Sequence, residues 1–164
     1  MKQEVKKSHG LCFLWLVVVV FVLDLASKFF ILANFELYDS LQLLPIFSIT
    51  YVRNYGAAFG LFLGQRWMLA IVAIVISLVV MRILYKSPKK DYLNNACFSL
   101  ILGGALGNLF DRLYHGFVID FFDFHIGDWH YPVFNVADSA ICIGVILLIL
   151  GSIGSPKRKD KVTS

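Results

Sequence analysis

Apolar positions along the chain gather into four long runs separated by polar segments. The first, from about Leu11 to Leu32, contains "LCFLWLVVVVFVL" and is interrupted only by Asp24 and Lys28. The others run from about Trp67 to Leu84, Asn95 to Leu113 and Val133 to Ile153. Each is close to the about 20 residues that a helix needs to cross the hydrocarbon of a bilayer. The segment after the first run changes period. In "IFSITYV" (Ile46–Val52), Phe47, Ile49 and Tyr51 alternate with Ser48 and Thr50, the two-residue repeat of a half-buried strand. "NYGAAFG" then supplies a turn-prone Asn54 and two glycines. Between the third and fourth runs, "DFFDFHIGDWH" mixes aromatic and charged residues. It suits a segment lying in the membrane interface, with Phe121, Phe122, Phe124 and Trp129 in lipid and the charges in water. The pattern predicts an all-α integral membrane protein. It is one domain over residues 1–164, with four transmembrane helices, a small extracytoplasmic β-sheet and an interfacial amphipathic segment.

Composition agrees, with 59% apolar and 16% charged residues and a mean hydropathy of +0.74. A soluble domain is nearer half apolar and a quarter charged. The net charge of +4 does not point to nucleic acid, because 11 of the 15 Lys and Arg fall in three clusters. These are Lys2, Lys6 and Lys7; Arg82, Lys86, Lys89 and Lys90; and Lys157, Arg158, Lys159 and Lys161. Their spacing between and beyond the runs is the positive-inside pattern, with both termini cytoplasmic. Residues 33–66 and 114–132 are then extracytoplasmic. The first run is read as a retained span, since no clean small-x-small cleavage site follows it. Cys12, Cys97 and Cys142 lie in or beside apolar runs without metal or redox spacing, and are read as small lipid- or core-facing residues. Gly103 and Gly107 in "GGALGNLF" form a small-xxx-small pair suited to close helix packing.

Against this background the polar residues in and beside the spans are the candidates for chemistry. Asp24 and Lys28, four apart, share a helix face and can neutralise each other, with Lys28 snorkelling outward. The third span ends in "GNLFDRL", which places Asn108, Asp111 and Arg112 on a common face. Asp120 follows in "FVIDFFDF", and the fourth span opens with "FNVADS", where Asn135 and Asp138 are three apart. A short outer loop joins the two spans, so Asp120 and Asp138 belong at the same depth near the outer interface. Two close carboxylates cannot both ionise cheaply and share a proton. One then activates water while the other polarises a carbonyl. Asp138, near a helix N-terminus, is the more acidic member. Asn108, Asn135 and Arg112 can orient the pair and donate to developing negative charge. Asp111 is read as fixing its neighbour Arg112. Paired acids would also serve a proton- or ion-coupled transporter, although the second span offers only Ser77 as a polar step between Trp67 and Met81. Asp120, Asp123, His125, Asp128 and His130 could in principle hold a metal, but their spacing matches no zinc pattern. No metal or cofactor is expected.

Several blocks in order resemble bacterial lipoprotein signal peptidase (signal peptidase II), a membrane aspartic protease family. They are "DLASK" from Asp24, "NYGAAFG" from Asn54, "GGALGNLFDRL" from Gly103, "FVIDF" from Phe117 and "FNVADSAI" from Phe134. The resemblance covers nearly the whole chain. It implies a catalytic dyad of Asp120 and Asp138, with supporting roles for Asp24, Lys28, Asn54, Gly56, Asn108, Asp111, Arg112 and Asn135. It implies removal of signal peptides from diacylglyceryl-modified prolipoproteins, by cleavage before the lipidated cysteine in the bacterial inner membrane, near its outer face. It further implies a four-helix core, an outer β-cradle, an interfacial helix over the site and inhibition by globomycin. The expected partners are lipidated prolipoproteins and membrane lipids; no oligomer and no nucleic acid are expected.

Overall fold

The computed structural model describes residues 9–56 and 61–154. A 3-10 turn, Gly10–Phe13, leads into α1, Leu14–Asn34. The hairpin strands β1, Ser40–Leu44, and β2, Phe47–Asn54, follow, and then α2, Arg66–Lys86, and α3, Tyr92–Tyr114. β3, Val118–Ile126, and the short β4, Trp129–His130, precede α4, Val136–Gly154. Each of the four α-helices is long and apolar enough to span a membrane.

α3 is the central helix and packs on each of the other three. Its small residues explain why. A Cβ on Gly103 would come within 2.7 Å of Val20 Cβ, and one on Gly107 would run into the Asp24 carboxylate. The small pair therefore brings α3 against α1. In lipid such contact is driven by packing and polar bonds, since hydrocarbon offers no hydrophobic gain between helices. Val17, Val80, Leu84 and Leu102 form one buried cluster where α1, α2 and α3 meet. Cys97 is buried, whereas Cys12 and Cys142 are exposed; none of the three is in a disulfide.

The four strands form one antiparallel sheet in the order β1-β2-β3-β4, although α2 and α3 separate β2 from β3 in sequence. A register shift between Ile49 and Val52 bulges β2 against β3. Before the bulge Ser48 is already buried while Phe47 and Ile49 are half-buried, so the simple alternation expected of Phe47, Ile49 and Tyr51 is not kept. Tyr51 is buried with Ile31, Ile119 and Phe121, and Ile49 packs on that cluster. Phe47 instead lies across from Phe124, with ring centroids 4.7 Å apart.

The segment expected to lie in the interface is this β3–β4 arm. Asp123 is buried, as is Phe121, so the division into apolar residues in lipid and charges in water does not hold there. Strand pairing decides the outcome: β3 takes its ladder from β2, and its polar side chains are met by side chains from β2 and β4. Thr50 Oγ1 donates to Asp123 at 2.9 Å and is itself 2.8 Å from Ser40 Oγ. His130 Nδ1 is 2.8 Å from Asp123, and Ser48 Oγ is 3.1 Å from His125 Nε2. Among the described residues the Phe121–Trp129 stretch is strand and turn, not the interfacial helix that the resemblance implies; residues 57–60, within "NYGAAFG", are outside the described range.

Candidate active site

The stretch "FNVADS" is a helix start. Asn135 caps α4: its Oδ1 accepts the Asp138 N–H at 2.9 Å, and Asp138 Oδ2 accepts the Asn135 N–H at 3.3 Å. This reciprocal pair is a capping box built from Asn and Asp. It explains why α4 begins at Val136 rather than at Val133, where the apolar run starts. The cap also fixes the Asp138 rotamer, leaving its Oδ1 to accept from Asn108 Nδ2 at 2.7 Å.

The Asn135 amide has a second task. Its Nδ2 donates to Asp120 Oδ1 at 2.7 Å, to Asn108 Oδ1 at 3.1 Å and to the Ile119 carbonyl at 3.3 Å. The other Asp120 oxygen accepts from Asn54 Nδ2 at 3.0 Å. Asn54 is placed by Gly56, whose N–H donates to Asn54 Oδ1 at 2.9 Å. A Cβ on Gly56 would lie 2.6 Å from the Leu61 carbonyl, so the turn closes only around glycine. Both acids are thus held by side-chain amides, with Asn108 and Asn135 bonded to each other between them.

Behind this layer sits a cation. Lys28 Nζ donates to Asp24 at 2.7 Å, to Asp111 at 3.0 Å and to Asn108 Oδ1 at 3.0 Å. Lys28 is 2% exposed, so it does not snorkel; it turns inward because two carboxylates and an amide oxygen satisfy its three donors. Asn108 Oδ1 must accept from Lys28, which dictates the amide orientation and turns Nδ2 toward Asp138. Asp111 does not fix Arg112. It binds Lys28 and accepts the Ile119 N–H at 3.0 Å, tying α3 to β3. Arg112 donates to the Asn108 carbonyl at 3.3 Å and the Gly56 carbonyl at 3.1 Å. Asp24 accepts the Ala137 N–H at 2.9 Å, satisfying another free amide at the start of α4.

All ten residues singled out from the sequence therefore fall in one connected network, at the end of the bundle that the sheet covers. Burial, reinforced by the neighbouring Asp138, pushes the Asp120 carboxyl up to about 7. The acids open onto a cavity of about 1000 Å³. Its floor is apolar and lies between the helices, with Val72 and Ile76 from α2, Ile101 and Ala105 from α3, and Ile141 and Val145 from α4. The acids of the loop do not converge with Asp120: Asp123 bonds Thr50 and His130, and Asp128 is exposed. Among the described residues no group of three or more His, Cys, Asp and Glu could hold a metal.

Sequence reasoning missed the capping box, although Asn135 and Asp138 at that spacing before an apolar run were its signal. It also missed Arg53, which lines the cavity; an exposed strand cation carries no local signal.

The profile of signal peptidase II (SPase II) matches residues 16–154. The chain belongs to the signal peptidase II family. It is 55% identical over 157 residues to a lipoprotein signal peptidase of Photorhabdus laumondii, covering 93% of each. It is 52% identical over 159 residues to that of Actinobacillus succinogenes, covering 94% of this chain and 97% of the relative. A solved bacterial membrane enzyme, determined by the in meso method at 2.3 Å, superposes with a TM-score of 0.84 at 32% identity, over 93% of this chain and 94% of its own. This chain's fold, four apolar helices capped by a small sheet, is therefore close to that of a solved membrane enzyme.

Proposed function

We propose that this signal peptidase II is an aspartic endopeptidase for diacylglyceryl-modified prolipoproteins, with Asp120 and Asp138 as its dyad. The observation that carries the reading is the amide bridge: both acids are bonded to Asn108–Asn135, neither is ion-paired among the described residues, and both border an apolar cavity. Asp120, raised to about 7, carries the shared proton below that pH. Asp138, at the N-terminal turn of α4, is the ionised member and takes a proton from the attacking water. Asp120 donates to the scissile carbonyl oxygen as the tetrahedral intermediate forms. Collapse breaks the C–N bond, and the amine of the lipidated cysteine leaves with a proton from the dyad. Asn108, Asn135 and Asn54 hold the carboxylates in register, while Lys28, Asp24 and Asp111 brace Asn108 and the two strand and helix termini.

The apolar cavity floor suits a signal peptide core descending between α2, α3 and α4. The acyl chains of the cysteine hold the scissile bond at the depth of the dyad, so the membrane supplies part of the orientation. We place the site near the outer face of the inner membrane and both termini in the cytoplasm, from the basic clusters. The residues that α2 contributes to the cavity, Leu69, Val72, Ala73 and Ile76, are all apolar, which counts against an ion pathway there. A gel-shift assay with one lipidated and one unlipidated prolipoprotein tests the reading. Cleavage of the lipidated form alone, blocked by globomycin, supports it; equal cleavage of both would refute the substrate assignment.

A further inference from the structure

Arg53 stands beside the residue that holds Asp120. It is exposed, lies next to Asn54 on β2 and borders the cavity. Its Nε donates to Tyr51 Oη at 2.9 Å. Its guanidinium lies 4.8 Å from the Phe117 ring centroid and 5.7 Å from that of Tyr51. Tyr51 is 2% exposed, so this aromatic frame is anchored in the core beneath the sheet and the cation is pre-positioned.

The other arginines at this end of the bundle are engaged differently. Arg112 is bonded to two backbone carbonyls, and Arg66 donates to the Leu113 carbonyl at 3.3 Å. Among the described residues no carboxylate lies within ion-pair distance of Arg53. A fixed cation on the rim of a cavity, framed by rings instead of by an acid, is built to meet an anion from outside the chain.

Geometry indicates which anion. If the signal peptide core fills the apolar floor between the helices, the chain beyond the scissile bond leaves past the dyad on the sheet side. That exit passes the rim formed by Val52, Arg53 and Asn54. We propose that Arg53 reads the first residues of the mature chain, favouring an acidic side chain directly after the lipidated cysteine. The inference rests on the peptidase reading above and adds a specificity determinant to it.

The test compares two lipidated prolipoproteins that differ only in Asp or Lys at the position after the cysteine. kcat/KM is measured for the wild type, Arg53→Lys, Arg53→Gln and Arg53→Glu, with each variant's folding checked by its melting temperature. An exposed ion pair is a weak contact, so the wild type and Arg53→Lys favour the Asp substrate by about threefold. Arg53→Gln brings the ratio to one and Arg53→Glu inverts it, and high salt flattens all four. A ratio unchanged in Arg53→Gln and Arg53→Glu overturns the proposal. So does an Arg53 effect that is equal on both substrates and appears only with anionic phospholipid in the micelle, since that marks a headgroup contact. Failure of the wild type to cleave either substrate would instead break the peptidase reading.

Discussion

Asp24 and Asp111 are as buried as Asp120, yet the two sets of acids are compensated in different ways. Asp24 and Asp111 share the Lys28 ammonium and each accepts a backbone N–H, from Ala137 and Ile119. Every charge there is paired and none borders the cavity. Among the described residues Asp120 and Asp138 receive only side-chain amides and one backbone N–H, and both face the cavity. Acids paired with a buried cation hold structure together. Acids held by amides can exchange a proton, because an amide keeps a carboxyl in place whether or not it is ionised. Asn108 joins the sets, accepting from Lys28 on one side and donating to Asp138 on the other.

The largest effect is expected at Asp120. Asp120→Asn keeps the shape but removes the transferable proton, and cleavage should fall by about a thousandfold or more in a gel-shift assay with folded protein. Next comes Lys28→Met, which strands two buried carboxylates. It should cost about 3–5 kcal/mol of stability, read as a large drop in melting temperature in detergent, with Asp24→Asn partly restoring it. Asn108→Ala is expected to be intermediate. It frees Asp138 from its amide and should lower kcat by about tenfold to a hundredfold, with little change in KM. The smallest effect concerns pH. Activity should decline as pH rises through about 7, where Asp120 loses its proton. Asn54→Ala removes a hydrogen bond that favours the ionised form, so the folded-state value rises further and the alkaline limb moves to higher pH. A limb that stays put or moves down in the pH-rate profile would contradict the assignment.

The spans and the two acids were legible because both depend on local pattern: long apolar runs, and polar residues at fixed offsets from their ends. Asp120 and Asp138 could be matched in depth from the short connection alone. The direction of Lys28 was not legible. Snorkelling and burial are equally compatible with Asp24 four residues away, and Asp111 and Asn108, which decide between them, lie on another helix. The same holds for Asp111, whose true partners are 83 residues earlier and 8 later in the chain. In β3, Asp120 and Asp123 are three apart amid aromatics, which looks like an interfacial face, whereas the β-branched Val118 and Ile119 were the weaker strand signal. Pairing with β2, two helices away in sequence, settled the conformation. Arg53 acquires its meaning only from Phe117 and the cavity rim.

The division between holding acids and reacting acids is tested most directly by measuring cleavage rate and melting temperature together for Asp138→Asn and Asp111→Asn. Asp138→Asn should abolish cleavage and leave the melting temperature near that of the wild type. Asp111→Asn should instead lower the melting temperature by several degrees, for a loss of about 1–3 kcal/mol, while the protein that remains folded still cleaves. Wild-type cleavage by a folded Asp138→Asn enzyme would show that Asp138 is not a reacting acid.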